Sequence, residues 1–150
     1  MILTNTQWNT LATAIANMEL FNPEAGSENK IALFINNVNI GPGTLLDDLE
    51  LATFTGSTPK ACGAGAAEVA TNPITGELQI RPKEPAGGFQ FVATNGDNLP
   101  QTVYGFALLT NDLGDYIAGQ NFTTPIPITA SNQVVDVPQP TLVLAIPPLT

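Results

Sequence analysis

Near the N-terminus, apolar residues recur at the spacing of one helix face: Trp8, Leu11, Ile15 and Met18. Residues three and four positions apart lie side by side on an α-helix, so this spacing predicts a helix. Thr4 and Gln7 have the spacing of a capping box at its start. Pro23 disfavours helical geometry in the residue before it and predicts where the helix ends. We therefore expect a helix over about residues 4–20.

Beyond Lys30 the pattern changes to short β-branched and aromatic runs that are separated by Gly, Pro, Asn and Asp. Such runs are typical of strands joined by turns. The predicted strands lie at residues 31–35, 49–55, 67–71, 78–81, 89–93, 102–110, 116–122, 133–137 and 141–146. Turn residues predict one hairpin around 72–76 and another around 111–115. Gly105 and Gly119, inside predicted strands, indicate bulges or a close approach of the backbone.

One N-terminal helix followed by roughly eight strands at short spacing favours an antiparallel β-sandwich or jelly roll. The length of 150 residues is that of one domain and suffices to bury a core without disulfides or metals. Cys62 is the single cysteine, so no internal disulfide can form. We expect a mainly β fold in which residues 1–150 form a single β-sandwich domain.

The charge balance is acidic, because 13 Asp and Glu oppose 4 Lys and Arg for a formal net charge of -9. A surface of this sign repels phosphate, so binding to nucleic acid and to anionic membranes is disfavoured. No basic segment followed by an apolar run stands at the start of the sequence, and no apolar stretch approaches ~18 residues. We therefore expect neither secretion by a signal peptide nor insertion into a membrane.

The absence of histidine from the sequence removes the residue most used for general acid–base catalysis and for binding transition metals. The densest acidic cluster, Asp47, Asp48 and Glu50, is interpreted as a solvated edge rather than a set of catalytic carboxylates. Asp112 and Asp115 lie in a predicted turn, where Asp caps the backbone locally. We expect no catalytic residue, metal site or cofactor, and no enzyme activity. A histidine-free carboxylate hydrolase is the least favoured alternative.

Aromatic residues leave a second functional class open. Tyr104 and Tyr116 lie on the two arms of one predicted hairpin, where a cross-strand pair is the simplest interpretation. Aromatic side chains also form stacking platforms for sugars. A ligand-binding sandwich, such as a carbohydrate-binding β-sandwich used for adhesion, therefore stays an alternative.

Five segments resemble, in this order, a group of small virion structural proteins encoded by tailed bacteriophages: 31–37 (IALFINN), 51–56 (LATFTG), 103–111 (VYGFALLTN), 117–125 (IAGQNFTTP) and 141–147 (TLVLAIP). An aromatic residue often follows the ATFTG segment in that group, whereas this chain has Ser57. The resemblance implies a non-enzymatic particle component, either a capsid decoration (cement) protein, which we favour, or a tail or adhesion component. It also implies a location in the virion after assembly in the host cytoplasm.

The resemblance further implies partners among the virion proteins, above all the major capsid protein. By analogy to decoration proteins on capsid three-fold positions, we expect a homo-oligomer, with a trimer preferred. The expected interface is the helix face that carries Trp8, Leu11, Ile15 and Met18. The loops at 36–44 and 62–66 are expected to contribute, whereas the strand at 141–146 is expected to close the core.

Overall fold

A computed structural model describes residues 5–16, 24 and 26–144 of the chain. In this part, the protein is mainly β, with antiparallel sheets and one α-helix, as the sequence predicts. The elements are α1 (Asn5–Ala16), β1 (Lys30–Phe34), a short 3-10 helix (Leu46–Asp48), β2 (Lys60–Ala61), β3 (Glu68–Thr71), β4 (Leu78–Arg81), β5 (Phe89–Val92), β6 (Gln101–Leu109), β7 (Tyr116–Ile128), β8 (Val134–Val137) and β9 (Leu142–Leu144).

The chain groups into two compact units. Unit 1 is made of the described residues within Met1–Glu28, Gly63–Glu84 and Gln139–Thr150, and it contains α1, β3, β4 and β9. Unit 2 is made of Asn29–Cys62 and Pro85–Pro138, and it contains the other six strands. A single sandwich domain over residues 1–150 stays a prediction.

The larger sheet of unit 2 has the strand order β2-β1-β6-β7 and is antiparallel throughout. The hairpin predicted around residues 111–115 is confirmed as the β6–β7 connection. The predicted end of its second strand at residue 122 is wrong, because β7 continues through Pro125 and Pro127 to Ile128. β7 is an edge strand, where the missing N–H of a proline need not break a ladder on the outer side.

A second antiparallel sheet of unit 2 pairs β5 with β8. In both strands, buried and more exposed residues alternate, which follows from the two-residue period of a strand. One hydrophobic cluster contains buried side chains from both sheets: Ile31, Leu33, Phe54, Cys62, Phe89, Phe91, Ala93, Val103, Phe106, Leu108, Ile128, Val135 and Val137. This cluster is the core of unit 2.

The predicted strand at 49–55 is wrong. Only Leu51 pairs there, in an isolated bridge with Phe34. Beside that bridge the amide of Ala52 donates to the carbonyl of Leu33 (2.8 Å), whereas the carbonyl of Ala52 accepts from the hydroxyl of Ser57 (2.9 Å) instead of continuing the ladder. The segment still packs on β1 and β6, since Leu49 and Leu51 contact a second buried cluster: Ala32, Ala107 and Leu109.

Unit 1 contains the three-stranded antiparallel sheet β3-β4-β9, with α1 in contact with β3 and β4. The hairpin predicted around residues 72–76 is confirmed as the β3–β4 connection. Leu78 and Ile80 of β4 are buried. Helix α1 lies within the predicted range 4–20, and β9 lies within 141–146. Thr4, residues 17–20 and residues 145–146 lie outside the described residues.

Gly105 and Gly119 confirm the predicted close approach in the β6–β7 hairpin. The register shifts beside Gly105, and a Cβ added there would lie 2.6 Å from the ring of Phe34. A Cβ added at Gly119 would lie 2.9 Å from the hydroxyl of Tyr116. Both glycines therefore make room for an aromatic ring.

The predicted cross-strand pair of Tyr104 with Tyr116 is wrong. Tyr116 lies opposite Leu109, at the far end of the hairpin. Tyr104 falls in the register shift, where residues 122–125 of β7 stand opposite a single residue of β6. Such a bulge removes the regular pairing on which the prediction depended. Partial burial raises the pKa of Tyr116 above its usual value.

Candidate interaction surfaces

The predicted interface on α1 is described only in part. Leu11 is 39% exposed, and Ile15 is half-buried. The side chain of Trp8 and the whole of Met18 lie outside the described residues. Docking through these four residues therefore stays a prediction.

The loop at 36–44 belongs to unit 2 and is held against the rest of that unit by side-chain amides. Asn121 of β7 donates to the carbonyl of Val38 (2.6 Å) and accepts from the amide of Ile40 (2.9 Å). At the start of the loop, Asn36 donates to the carbonyl of Asp48 (2.7 Å) and accepts from the amide of Glu50 (2.9 Å). These bonds fix the backbone of the loop, so its exposed residues present a defined surface.

Asn121 is a functional candidate that the sequence analysis missed. Asn is unfavourable in strands, and it lies here in the middle of the β6–β7 hairpin, next to a register shift. The sequence does contain a signal for this role, because an asparagine within a predicted strand indicates that its side chain has a specific partner. The partner backbone, 81 residues away in sequence at Ile40, was not predictable from local pattern.

The second predicted loop, 62–66, is more enclosed. Cys62 is buried, and residues 63–66 are half-buried. Within unit 1, the amide of Gly63 donates to the carbonyl of Lys83 (2.8 Å). A Cβ added at Gly65 would lie 3.0 Å from the Nζ atom of the same lysine. This part of the loop therefore packs against Lys83, two residues beyond the end of β4, and is only partly exposed to solvent.

Asp112 lies in the β6–β7 turn and bonds the backbone locally, as the sequence predicts. Its Oδ1 accepts from the hydroxyl of Thr110 (2.6 Å) and from the amide of Gly114 (3.0 Å). These hydrogen bonds, that of Thr110 first, hold the pKa of Asp112 below its usual value. Because these bonds stabilise the carboxylate and close the turn, the structure of the turn explains why an aspartate stands at this position.

The described residues contain neither a metal-binding cluster nor a membrane-spanning helix. In the described ranges, no three His, Cys, Asp or Glu side chains come together in a group that could hold a metal ion. Within those same residues, no helix has the length and apolar character needed to cross a membrane.

Exposed apolar side chains are concentrated in unit 1. The large hydrophobic residues that are exposed in the described part of the chain are Leu11, Leu45, Val69, Ile74, Val134 and Val143. Only Leu45 and Val134 belong to unit 2, although unit 2 has more of the described residues. Ile74 is 92% exposed, at the tip of the β3–β4 hairpin.

The tip that carries Ile74 is tied together by Asn72. The side-chain oxygen of Asn72 accepts from the amides of Ile74 (2.9 Å) and Thr75 (3.3 Å). The backbone of Asn72 accepts from Gly76 (2.8 Å) and donates to Glu77 (2.8 Å). The sequence predicts this turn but not the exposure of Ile74. An apolar residue among turn-forming residues was the feature that could have indicated it.

Comparison of the chain with protein-family models, with curated proteins and with solved structures finds no match. The resemblance to small virion proteins of tailed bacteriophages therefore stays an expectation from the sequence segments. The surfaces that bear on function are the loop held by Asn121, the partly described face of α1 and the exposed residues of unit 1.

Proposed function

We propose that the protein is a non-enzymatic structural component of a tailed-phage virion, a capsid decoration (cement) protein that stabilises the shell through protein–protein contacts. The observation that carries the proposal is the set of exposed apolar residues in unit 1. A single exposed apolar side chain is ordinary on a protein surface. Apolar area gains free energy when it leaves water, so the exposed apolar side chains of unit 1, Ile74 above all, favour contact with another protein.

Loop structure supports the same function. The loop at 36–44 is fixed by Asn36 and Asn121, and the β3–β4 tip is fixed by Asn72. A surface that is already ordered loses less conformational entropy when a partner binds. Such preorganised loops suit a protein whose role is to hold others in place.

The net charge of -9 supports a position on the outside of the shell. DNA packaged inside a capsid presents phosphate to the inner wall, where an acidic protein would be repelled. The proposed partners are accordingly the major capsid protein or other virion proteins. The proposed location is the virion, after assembly in the host cytoplasm.

For the fold we propose a β-sandwich in unit 2. The buried cluster of that unit contains side chains from both of its sheets, as in a core between two layers. At one edge of the larger sheet, β7 is 13 residues long and has no charged residue. An uncharged edge has little to discourage pairing with another strand, which supports a homo-oligomer, with a trimer preferred by analogy.

Co-sedimentation tests the proposal. Particles of the phage whose genome encodes the chain would be purified after deletion of its gene and mixed with the purified protein. We expect saturable binding to these particles in a sucrose gradient, and recovery of the protein from wild-type virions by mass spectrometry. Failure to bind such particles would overturn the proposal. Binding to a surface polysaccharide of the host instead would favour the carbohydrate-binding alternative.

A further inference from the structure

Ile74 occupies a position that turn chemistry does not explain. Turn tips favour Gly, Asn, Asp, Ser and Pro, each of which suits the backbone geometry or bonds it locally. Ile74 supplies neither property, and its side chain is 92% exposed. Among the side chains that the structure describes, the next most exposed large hydrophobic one, Leu45, is 65% exposed. An apolar side chain in this position contributes little to the fold and keeps its whole surface for a contact.

The backbone around Ile74 is held in one conformation before any partner binds. Asn72 bonds the tip through its side chain and through both of its backbone groups. Pro73 fixes its own φ angle beside these bonds. The hydroxyl of Thr75 donates to the carboxylate of Glu77 (2.8 Å), which holds a negative charge within the same turn. A rigid apolar anchor of this kind has the properties of an interface hot spot.

Charge indicates which partner fits the tip. The hairpin carries Glu68 and Glu77, and its basic residue, Arg81, stands opposite Glu68 at the end away from the tip. Phosphate groups of nucleic acid or anionic lipid would be repelled by the carboxylate at the tip. A second copy of the chain has 4 basic residues against 13 acidic ones, so it offers few basic side chains to meet this carboxylate and is disfavoured at the tip, although it can pair elsewhere. The complementary surface is an apolar pocket with Lys or Arg at its rim, on a different protein.

We infer that the β3–β4 tip, residues 72–77, is the anchor of this protein, and that Ile74 inserts into an apolar pocket with a basic rim on the shell protein. This inference rests on the proposed function and names the contact through which it is performed. Ile74 supplies apolar area to the contact, and Glu77 supplies charge complementarity. The remaining tip residues hold these two side chains in place.

The test measures binding of variants to particles that lack the protein, in the gradient assay described above. Ile74→Asn removes the apolar side chain but suits a turn, and we expect it to weaken binding by more than about tenfold. Leu45→Asn makes the same change at an exposed site of unit 2 and should alter binding by less than about twofold. Thermal melting of both variants should match that of the unsubstituted protein.

Glu77→Gln separates the charge from the apolar contact. We expect it to weaken binding at low salt and to reduce the dependence of binding on salt concentration, since exposed charge pairs are screened. Glu68→Gln, at the far end of the hairpin, is the matched control and should leave that salt dependence unchanged.

The outcomes distinguish the inference from the proposed function. If the unsubstituted protein does not bind the particles, the proposed function fails and the inference fails with it. If it binds and Ile74→Asn binds equally well, the inference alone is overturned. Self-association that depends on Ile74, measured by light scattering, would also overturn it, because the occupant would be a second copy. Should Ile74→Asn unfold, Ile74→Thr replaces it, and a folded Ile74→Thr that binds normally overturns the inference.

Discussion

The ring of Phe34 fills the space that a side chain at Gly105 would need. The two residues stand opposite each other in the β1–β6 register, and a Cβ added at Gly105 would lie 2.6 Å from the ring. Phe34 is fully buried. A glycine inside a central strand is costly by itself, so its presence here is explained by the ring of Phe34 and by the backbone carbonyl oxygen of Gln120, which would lie still nearer to an added Cβ.

Gly105→Ala should therefore destabilise the protein by about 1–3 kcal/mol, because the ring or the strand must move. Urea unfolding monitored by circular dichroism measures the change. Gly41→Ala is the matched control, since a Cβ there meets nothing within 4 Å. We expect the control to stay within about 0.5 kcal/mol of the unsubstituted protein. Equal effects of the two substitutions would contradict the packing explanation.

Asn121→Ala should release the loop at 36–44. The substitution removes the acceptor for the amide of Ile40 and the donor for the carbonyl of Val38. We expect a loss of about 1–3 kcal/mol in the free energy of unfolding, since both backbone groups are then left unpaired. Hydrogen exchange at the amide of Ile40 should become faster. Asn95→Ala, in an exposed turn, should leave that exchange rate unchanged.

Local chemistry accounts for what the sequence predicts well. The turn residues 72–76 and 111–115 predict both hairpins, and β4 has the predicted bounds, 78–81. Gly105 and Gly119 are predicted to mark a close approach of neighbouring atoms, because a glycine weakens a strand unless the space of a side chain is needed for something else. In each case the signal lies within a few residues of the element it predicts.

Contacts between distant parts of the chain account for what the sequence does not predict. In place of the strand expected at 49–55, the backbone of Thr53 bonds side chains from a distant segment, those of Asn98 and Gln101. The continuation of β7 through Pro125 depends on its edge position in the sheet. The anchoring of the 36–44 loop depends on Asn121. None of these partners is visible in the local alternation of apolar and polar residues.

Position 57, which is Ser57 in this chain, should not tolerate an aromatic residue, the residue type expected after the ATFTG segment from the resemblance to phage virion proteins. Ser57 is buried, and its hydroxyl donates to the carbonyl of Ala52 (2.9 Å). Ser57→Phe adds a ring to a filled site and removes this bond, so we expect a loss of at least about 2 kcal/mol. Ser57→Ala removes the bond alone and should cost about 1 kcal/mol. A Ser57→Phe variant as stable as the unsubstituted protein would show that the site has room for a ring.

Asp112 should make folding sensitive to acid. The hydrogen bonds from Thr110 and Gly114 lower the pKa of Asp112 in the folded chain from its ordinary value of 3.8. The stabilisation is fully present above the pKa of the unfolded chain and is lost as the pH falls through the lower pKa of the folded chain.

Asp112→Asn resembles the protonated carboxyl at every pH. It should therefore be less stable than the unsubstituted protein at about pH 7, and the gap should close as the pH falls through the lowered pKa of Asp112 in the folded chain. Melting temperatures across this range measure the gap, and an NMR titration measures the pKa directly. Thr110→Val removes the strongest donor and should bring the pKa of Asp112 back toward 3.8. A pKa of Asp112 that does not change in Thr110→Val would contradict the assigned cause.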